Sequence, residues 1–496
     1  MKQSGILLHV SALPGPQGCG SLGAEARGWI SLLGHRGIDV WQVLPLAPVD
    51  GTGSPYSSPS GSALNPLLLD LASLVQEGWL PADQGAADLA DSSQLSMVAE
   101  ELGRNWQQAS RQQRQAFGRW QRYQRHWLSW HCRYMVIKQL EGGKPWWLWN
   151  SALAQRNGAV LRRLEQEHAG ALLQQALLQW HLQRQWQSLR QHGRSCGVQL
   201  VGDLPFYVAH DSADVWSRPH LFSISRTGAL LQQSGVPPDY FSSTGQLWGT
   251  PVYRWGAHWA SGFDWWIKRL LRQLELFDLL RLDHFRALQA YWSVPGDAPT
   301  AEHGQWRLSP GWPLLALLWL ACLGRGRLLH NGHLPLIAED LGVITPGVRW
   351  LRDGFALPGM KILQFAFDGD AENPYLPANY QGQRWVVYTG THDNATTLGW
   401  WQHLDQGSRD RVATAVGAAV QAPGWQLTKL ALDSTADLAV VPLQDLLELG
   451  DEARFNTPGT ASGNWCWRLQ QPISSLDGPL KGYGELAAAA SRGGQR

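Results

Sequence analysis

A (β/α)8 barrel is the fold class that the sequence predicts, and three observations predict it. Eight apolar runs of strand length are bounded by turn residues. Helical patterns fall between several of them. Three of the runs lead directly into a carboxylate: Asp283 in LLRLDHFRA, Glu339 in LIAEDLG and Asp393 in YTGTHDN. An acid where an apolar strand ends is poorly placed for core packing, because an unpaired buried carboxylate is costly. It is well placed for chemistry at the open end of a parallel barrel. A length of 496 residues admits one barrel with insertions or two to three ordinary domains, and the alternation of strand and helix selects the barrel.

In chain order, GILLHV around Ile6 reads as the first strand, GAEARGWISLLGHRG from Gly23 as its helix and DVWQVLP around Val40 as the second strand. Residues 1–73 therefore hold two barrel strands and a first substrate loop. Residues 74–197 read as a mostly helical insertion, since the stretch from Arg111 to Leu140 carries aromatic and polar residues at helical spacing with no proline. VQLVGDLPFYV around Leu200 supplies the third strand, 198–208. Residues 209–262, rich in Gly, Pro, Ser and Asp, read as an irregular lid or substrate loop, and an ordered loop of that length is usually functional. Residues 263–496 hold the helix DWWIKRLLRQLELF from Asp264, strands around Leu282, Ile337, Leu363, Val387 and Val440, and a C-terminal substrate loop. PLLALLWLACLG from Pro313 to Gly324 reads as a buried helix, too short to span a bilayer. The tail after Glu485 is expected to fray after a short helical stretch.

Composition excludes several classes of function. The 41 Lys and Arg nearly balance 40 Asp and Glu, so polyanion binding and electrostatic membrane docking receive no support and a neutral ligand fits better. The odd, scattered set of Cys19, Cys132, Cys196, Cys322 and Cys466 contains no CxxC pair, which argues against disulfides and structural zinc and for a reducing cytoplasm. The N-terminal apolar run is too short for a signal peptide and is broken by Pro14 and Gly15, so a soluble cytoplasmic protein is expected. Most of the 29 tryptophans read as core or half-buried helix residues, and only those in site-bearing loops are candidates for sugar platforms.

Gly18, Gly20 and Gly23 match GxGxxG, with Asp39 at the distance of a ribose-binding acid, but Pro14 and Pro16 separate the glycines from the strand and Asp39 begins the next strand. His9, His210, His284 and His392 lie at or beyond strand ends. Without HxH or HExxH spacing they read as hydrogen-bonding residues rather than metal ligands. Asp283 is either a structural partner of Arg281 or Arg286 or a nucleophile that guanidinium charge keeps ionised. Glu339 is followed by Asp340, so one of the two could be surface charge. A partly desolvated Glu339 would have the raised pKa of a general acid. One ionised and one protonated carboxyl group equip a retaining glycosidase, which needs them about 5 to 5.5 Å apart. Asp393, the third carboxylate, could bind sugar hydroxyls more strongly as the ring flattens in the transition state.

Nearly the whole chain resembles the 4-α-glucanotransferases called amylomaltase or disproportionating enzyme, glycoside hydrolase family 77 of the α-amylase clan. The resemblance rests on GILLHVSALPGPQG at Gly5, SPYSSPS at Ser54, NPLLLDL at Asn65, GDLPFYVAHDSADVW at Gly202 and GVPPDYFSSTGQLWG at Gly235. It continues in RLDHFRA, IAEDLGVITPGV at Ile337, LPGMKILQFAF at Leu357, NPYLP at Asn373, TGTHDN at Thr389 and NTPGTASGNWCWRL at Asn456; residues 77–179 match loosely. It implies Asp283 as nucleophile, Glu339 as acid/base and Asp393 as transition-state stabiliser. It further implies that Arg281 supports the nucleophile, His284 and His392 bind the donor sugar, Asp203 shapes the pocket and Tyr56 stacks on that sugar. By the same resemblance Trp248 and Asn464 line the glucan groove and Asp239, Tyr240 and Phe241 belong to a lid over it. The substrates implied are maltooligosaccharides and α-1,4-glucans, with no cofactor, no nucleic acid and no membrane. Ala287, Gln289 and Ala395 depart from the family pattern, and Ala287 adds a methyl group where the backbone could need glycine freedom. A plain α-glucan hydrolase and a non-catalytic glucan-binding barrel are the alternatives.

Overall fold

The computed structural model describes residues 2–15, 19–238, 243–460 and 462–493. Its strands are β1 (Gln3–Leu7), β2 (Val40–Gln42), β3 (Gln199–Leu204), β4 (Gln232–Val236), β5 (Gln246–Pro251), β6 (Leu279–Leu282), β7 (Ala290–Pro295), β8 (Gln305–Leu308), β9 (Leu336–Ala338), β10 (Gly359–Ile362), β11 (Trp385–Tyr388) and β12 (Leu438–Pro442). Eight of them form one parallel sheet in the order β10-β11-β12-β1-β2-β3-β6-β9. These are the eight runs expected from the sequence, and the barrel is confirmed. Its strands are buried on both faces, as LAVVP in β12 shows residue by residue, which is why they read as continuous apolar runs.

The sheet closes between β9 and β10 without a regular ladder. Ala338 N donates to Pro358 O at 2.9 Å, and Met360 N donates to Asp340 Oδ1 at 2.8 Å. Asp340 also accepts from Arg352 Nη1 at 2.5 Å and is buried. It is therefore the clasp of the barrel seam and not surface charge. Alternation along the strand points Asp340 outward and Glu339 inward.

Helices Ala24–His35, Ala169–Ser195, Asp264–Leu276, Gly311–Leu323 and Pro346–Gly354 follow successive barrel strands, whereas residues 363–384 carry only the 3-10 turns Leu363–Phe365 and Pro377–Asn379. Helix Gly311–Leu323 is not the buried element that its composition suggests. As an outer helix of the barrel it buries Leu314, Leu315 and Leu318, while Leu320 and Leu323 remain 55% and 53% exposed. Close packing appears at Gly202, where a Cβ would lie 2.2 Å from the Phe277 ring.

The helical insertion contains Ser92–Asn105 and Arg111–Leu140, both packed on Ala169–Ser195. The first half of Ala169–Ser195 joins an aromatic cluster in which Trp180 meets Trp79, Trp106 and Phe117. Its second half lies on the barrel, with Trp186 Nε1 donating to Leu276 O at 2.8 Å and Arg190 Nη2 donating to Phe277 O at 2.8 Å.

Residues 209–262 are less irregular than expected. β4 and β5 pair with β7 and β8 in a four-stranded antiparallel sheet of order β5-β4-β7-β8. The reading from sequence misses this sheet because Gly235 pairs with Trp292, a partner far along the chain. The tail also differs from expectation. Helix Asp477–Ala489 is followed by a bridge between Lys2 and Arg492. The buried Arg492 guanidinium donates to Leu432 O at 2.6 Å and to Ser434 O and Gln3 O, each at 3.0 Å, so Arg492, just beyond the expected short helical stretch, is tied across the barrel floor rather than frayed.

Candidate active site

The three carboxylates come together beyond the C-terminal ends of β6, β9 and β11. Asp203 on β3 and Arg281 on β6 are direct neighbours in register, so their side chains share the interior face. Arg281 Nη1 donates to both Asp203 oxygens, at 2.8 and 2.7 Å, and to Asp283 Oδ1 at 3.0 Å. Tyr56 donates its hydroxyl to Asp203 Oδ2 at 2.6 Å. Burial and the Asp203 carboxylate hold that phenol well above its usual pKa, so it remains a donor.

Glu339 follows β9 as Asp283 follows β6. Its Oε2 accepts from His284 N at 2.6 Å and its Oε1 from Leu341 N at 3.0 Å. Residue 284 reaches this position in the left-handed conformation, φ 48° and ψ 46°, a backbone state that histidine adopts more readily than most residues. Ala287, three residues on, lies in the turn Phe285–Leu288 without positive φ, so its methyl group meets no conformational penalty; the strain sits at His284.

Desolvation dominates the electrostatics. Burial pushes Glu339 up to about 8, reinforced by the Asp283 charge and opposed by Arg281 and the two backbone N–H groups. Burial likewise pushes Asp283 up, to about 7, against the pull of Arg281. This differs from the expectation of an Asp283 held firmly ionised. Arg281 gives two of its three contacts to Asp203, which leaves Asp283 a single hydrogen bond. Asp283 keeps 28% of its side-chain exposure, and the direct guanidinium contact makes it the stronger acid of the two. Of the two carboxyl groups, Asp283 is therefore the first to ionise.

Asp393 stands on the loop after β11 with 43% of its side chain exposed. Asn456 Nδ2 donates to its Oδ1 at 2.7 Å, and Arg454 Nη2 donates to its carbonyl at 2.6 Å. His392 stacks on Tyr56 with centroids 5.2 Å apart and planes 8° apart, and Trp465 packs against both rings. Burial keeps His392 and His284 neutral, the latter lowered to about 4. On the opposite wall Trp248 meets the His284 ring edge-on at 4.9 Å, next to Tyr207.

The expected residues Tyr56, Asp203, Arg281, Asp283, His284, Glu339, His392, Asp393 and Trp248 thus fall on one connected set of contacts. Asn464 is spent on its own loop, accepting from Thr457 N at 2.8 Å. Asp239, Tyr240 and Phe241 lie outside the described residues. Reading from sequence misses Trp465, Asn456 and Arg454, although the aromatic string NWCW is a usable signal for the first.

Of the other histidines, His9 is buried beside His392, and His210 stacks on Trp147 at 3.9 Å. In the described part of the glycine motif Asp70 fills the space over Gly23, and Asp39 accepts from Ser4 N at 3.0 Å.

Comparison with known proteins adds three findings. The family model of glycoside hydrolase family 77, described as 4-alpha-glucanotransferase, matches residues 8–474. Curated relatives with that name include one from Thermus thermophilus, 43% identical with 94% of each chain covered, and one from Synechocystis, 42% identical with 94% and 93% covered. Among solved structures, an amylomaltase from Streptococcus agalactiae in complex with acarbose superposes with a TM-score of 0.92 at 31% identity, covering 100% of both chains.

Proposed function

The chain belongs to glycoside hydrolase family 77, the 4-alpha-glucanotransferases, and from that membership we propose that Asp283, Glu339 and Asp393 carry a retaining transfer of α-1,4-glucan segments between maltooligosaccharides. The observation that carries this assignment is the pair of carboxyl groups at the barrel mouth, one held by Arg281 and the other by two backbone N–H groups. Ionised Asp283 attacks the anomeric carbon of the donor sugar while Glu339 gives its proton to the departing glycosidic oxygen. In the second half, Glu339 takes the proton of an acceptor 4-hydroxyl, which attacks the glycosyl-enzyme and releases Asp283.

The remaining residues divide the work of binding. Tyr56, His392 and Trp465 form an aromatic wall for the donor sugar, and Asp203, bonded to Tyr56 and Arg281, fixes the floor. Asp393, positioned by Asn456, faces the ring as it flattens toward the oxocarbenium ion, where its hydrogen bonds strengthen. Transfer over hydrolysis requires the acceptor to be held while water is kept out. Trp248 beside His284 supports such an acceptor wall. The chemistry needs no cofactor. Five free cysteines support a reducing, cytoplasmic setting.

Incubation of the purified protein with maltotriose alone tests the reading. Glucose and a ladder of longer maltodextrins should appear at a constant number of reducing ends. Rising reducing ends without longer products would identify a hydrolase instead. Asp283→Asn should abolish turnover and retain glucan binding.

A further inference from the structure

β8 is an edge strand whose four residues are all exposed, yet it carries Trp306. Trp306 pairs with Trp292 and Leu308 with Ala290, so Trp306 and Leu308 share a face of the small sheet. The indole is not a loose surface group. The Arg286 guanidinium stacks on it with 3.8 Å between Cζ and the ring centroid, and Trp292 meets it at 63° with centroids 5.3 Å apart. Supported in this way the ring still has 41% exposure, and Leu308 beside it has 77%. A flat aromatic surface that is fixed from behind and open in front loses little entropy on binding, which is the property of a stacking platform.

Its supports lead directly to the catalytic loops. Arg286 lies three residues beyond Asp283 and donates through Nη1 to the carbonyl of Val343, four residues beyond Glu339. Trp306 is thereby fastened to the strand-end loops of both the nucleophile and the acid/base. The flank is also determined. The donor sugar occupies the side of Tyr56, His392 and Trp465, whereas the leaving segment and the later acceptor pass on the flank of Glu339, which protonates and deprotonates the bridging oxygen. Arg286 and Val343 extend from that flank.

We propose that the exposed face of Trp306 is a glucan-binding platform on the acceptor side, out of reach of a single glucose and engaged by the outer sugars of a longer acceptor. This rests on the glucanotransferase reading above and adds an acceptor-length determinant to it. Arg286 is then a positioning residue that holds the platform against the catalytic loops.

Trp306→Ala and Trp306→Phe can be compared with wild type, using labelled glucose and labelled maltoheptaose as acceptors from a common amylose donor. Trp306→Ala should raise KM for maltoheptaose about tenfold, the loss of one stacking contact. It should leave kcat and the KM for glucose as in wild type, and Trp306→Phe should recover most of the affinity. Unchanged KM for both acceptors, or an equal loss with both, overturns the platform. Calorimetric titration of maltoheptaose into Asp283→Asn and into the Asp283→Asn, Trp306→Ala double variant separates the two hypotheses. Equal affinities overturn the platform even where transfer is observed. Weaker binding to the double variant supports it even if wild type fails to disproportionate maltotriose.

Discussion

In the proposed mechanism Arg281 is the residue on which the chemistry turns, because a single nitrogen serves two carboxylates. A planar guanidinium fixed by Asp203 holds its charge at one point and lowers the pKa of Asp283 against the rise that burial causes. An ammonium on a flexible stem would choose between the two acids. Arg281→Lys is therefore expected to cut kcat/KM by about 10²–10³, the scale of losing one preorganised charge contact at a reacting centre. Its pH profile should change in a defined direction. A weaker cation lets Asp283 rise further, so a higher pH is needed to ionise it and the acidic limb moves up; an unmoved limb would deny Arg281 this role. Asp283 and Glu339 are legible in the sequence because each follows an apolar strand by one residue. Asn456 and Arg454 are not, since their roles depend on a loop that returns to Asp393 some sixty residues later in the chain, a placement no local pattern encodes.

Elements are held by a few polar clasps. The β9–β10 seam relies on Asp340 and Arg352. The start and end of the chain are joined by Arg492 and by Tyr483, whose hydroxyl accepts from Gly5 N at 3.2 Å and donates to Gly5 O at 3.0 Å. Removal of the Arg492 side chain would take a donor from three carbonyl groups near the barrel floor, of which Ser434 O keeps Lys2 Nζ at 2.8 Å. Arg492→Ala should cost about 2–4 kcal/mol in denaturant unfolding while leaving kcat unchanged at low temperature. The eight barrel strands are legible because buried parallel strands leave unbroken apolar runs. β5 and β8 are poorly buried and so lack an apolar run, β4 and β5 contain glycine, and the β4–β7 pairing that makes one sheet of the four strands joins segments more than fifty residues apart. A tail of alanine, glycine and serine gives no hint that one arginine anchors it.

At the scale of the whole molecule, stability carries a pH signature. Desolvation lowers His131 and His258 to about 4 and His181 to about 3. All three are buried, and neither ring nitrogen of His131 has a hydrogen-bond partner among the described residues. The unfolded chain protonates such groups near 6.5, the folded chain only near 3 to 4. Their stabilising effect is thus complete above 6.5 and is lost progressively as the pH falls toward 4, on the order of 1–2 kcal/mol for each histidine by pH 5. Because the raised carboxyl groups of Asp283 and Glu339 act in the opposite sense, the test is a difference: the urea midpoint of His258→Phe relative to wild type should rise from pH 7.5 to pH 5.0, and a difference independent of pH would refute the role of His258. Helix Ala169–Ser195 has a consequence of another kind. Its first turns belong to the tryptophan cluster of the insertion and its last turns form part of the barrel wall, with no joint between them. The insertion is therefore not a detachable module: grafting it onto another barrel, or deleting it, means cutting a continuous rod. Lineages that resize this region are constrained to change what lies before Ala169 and to leave the rod whole.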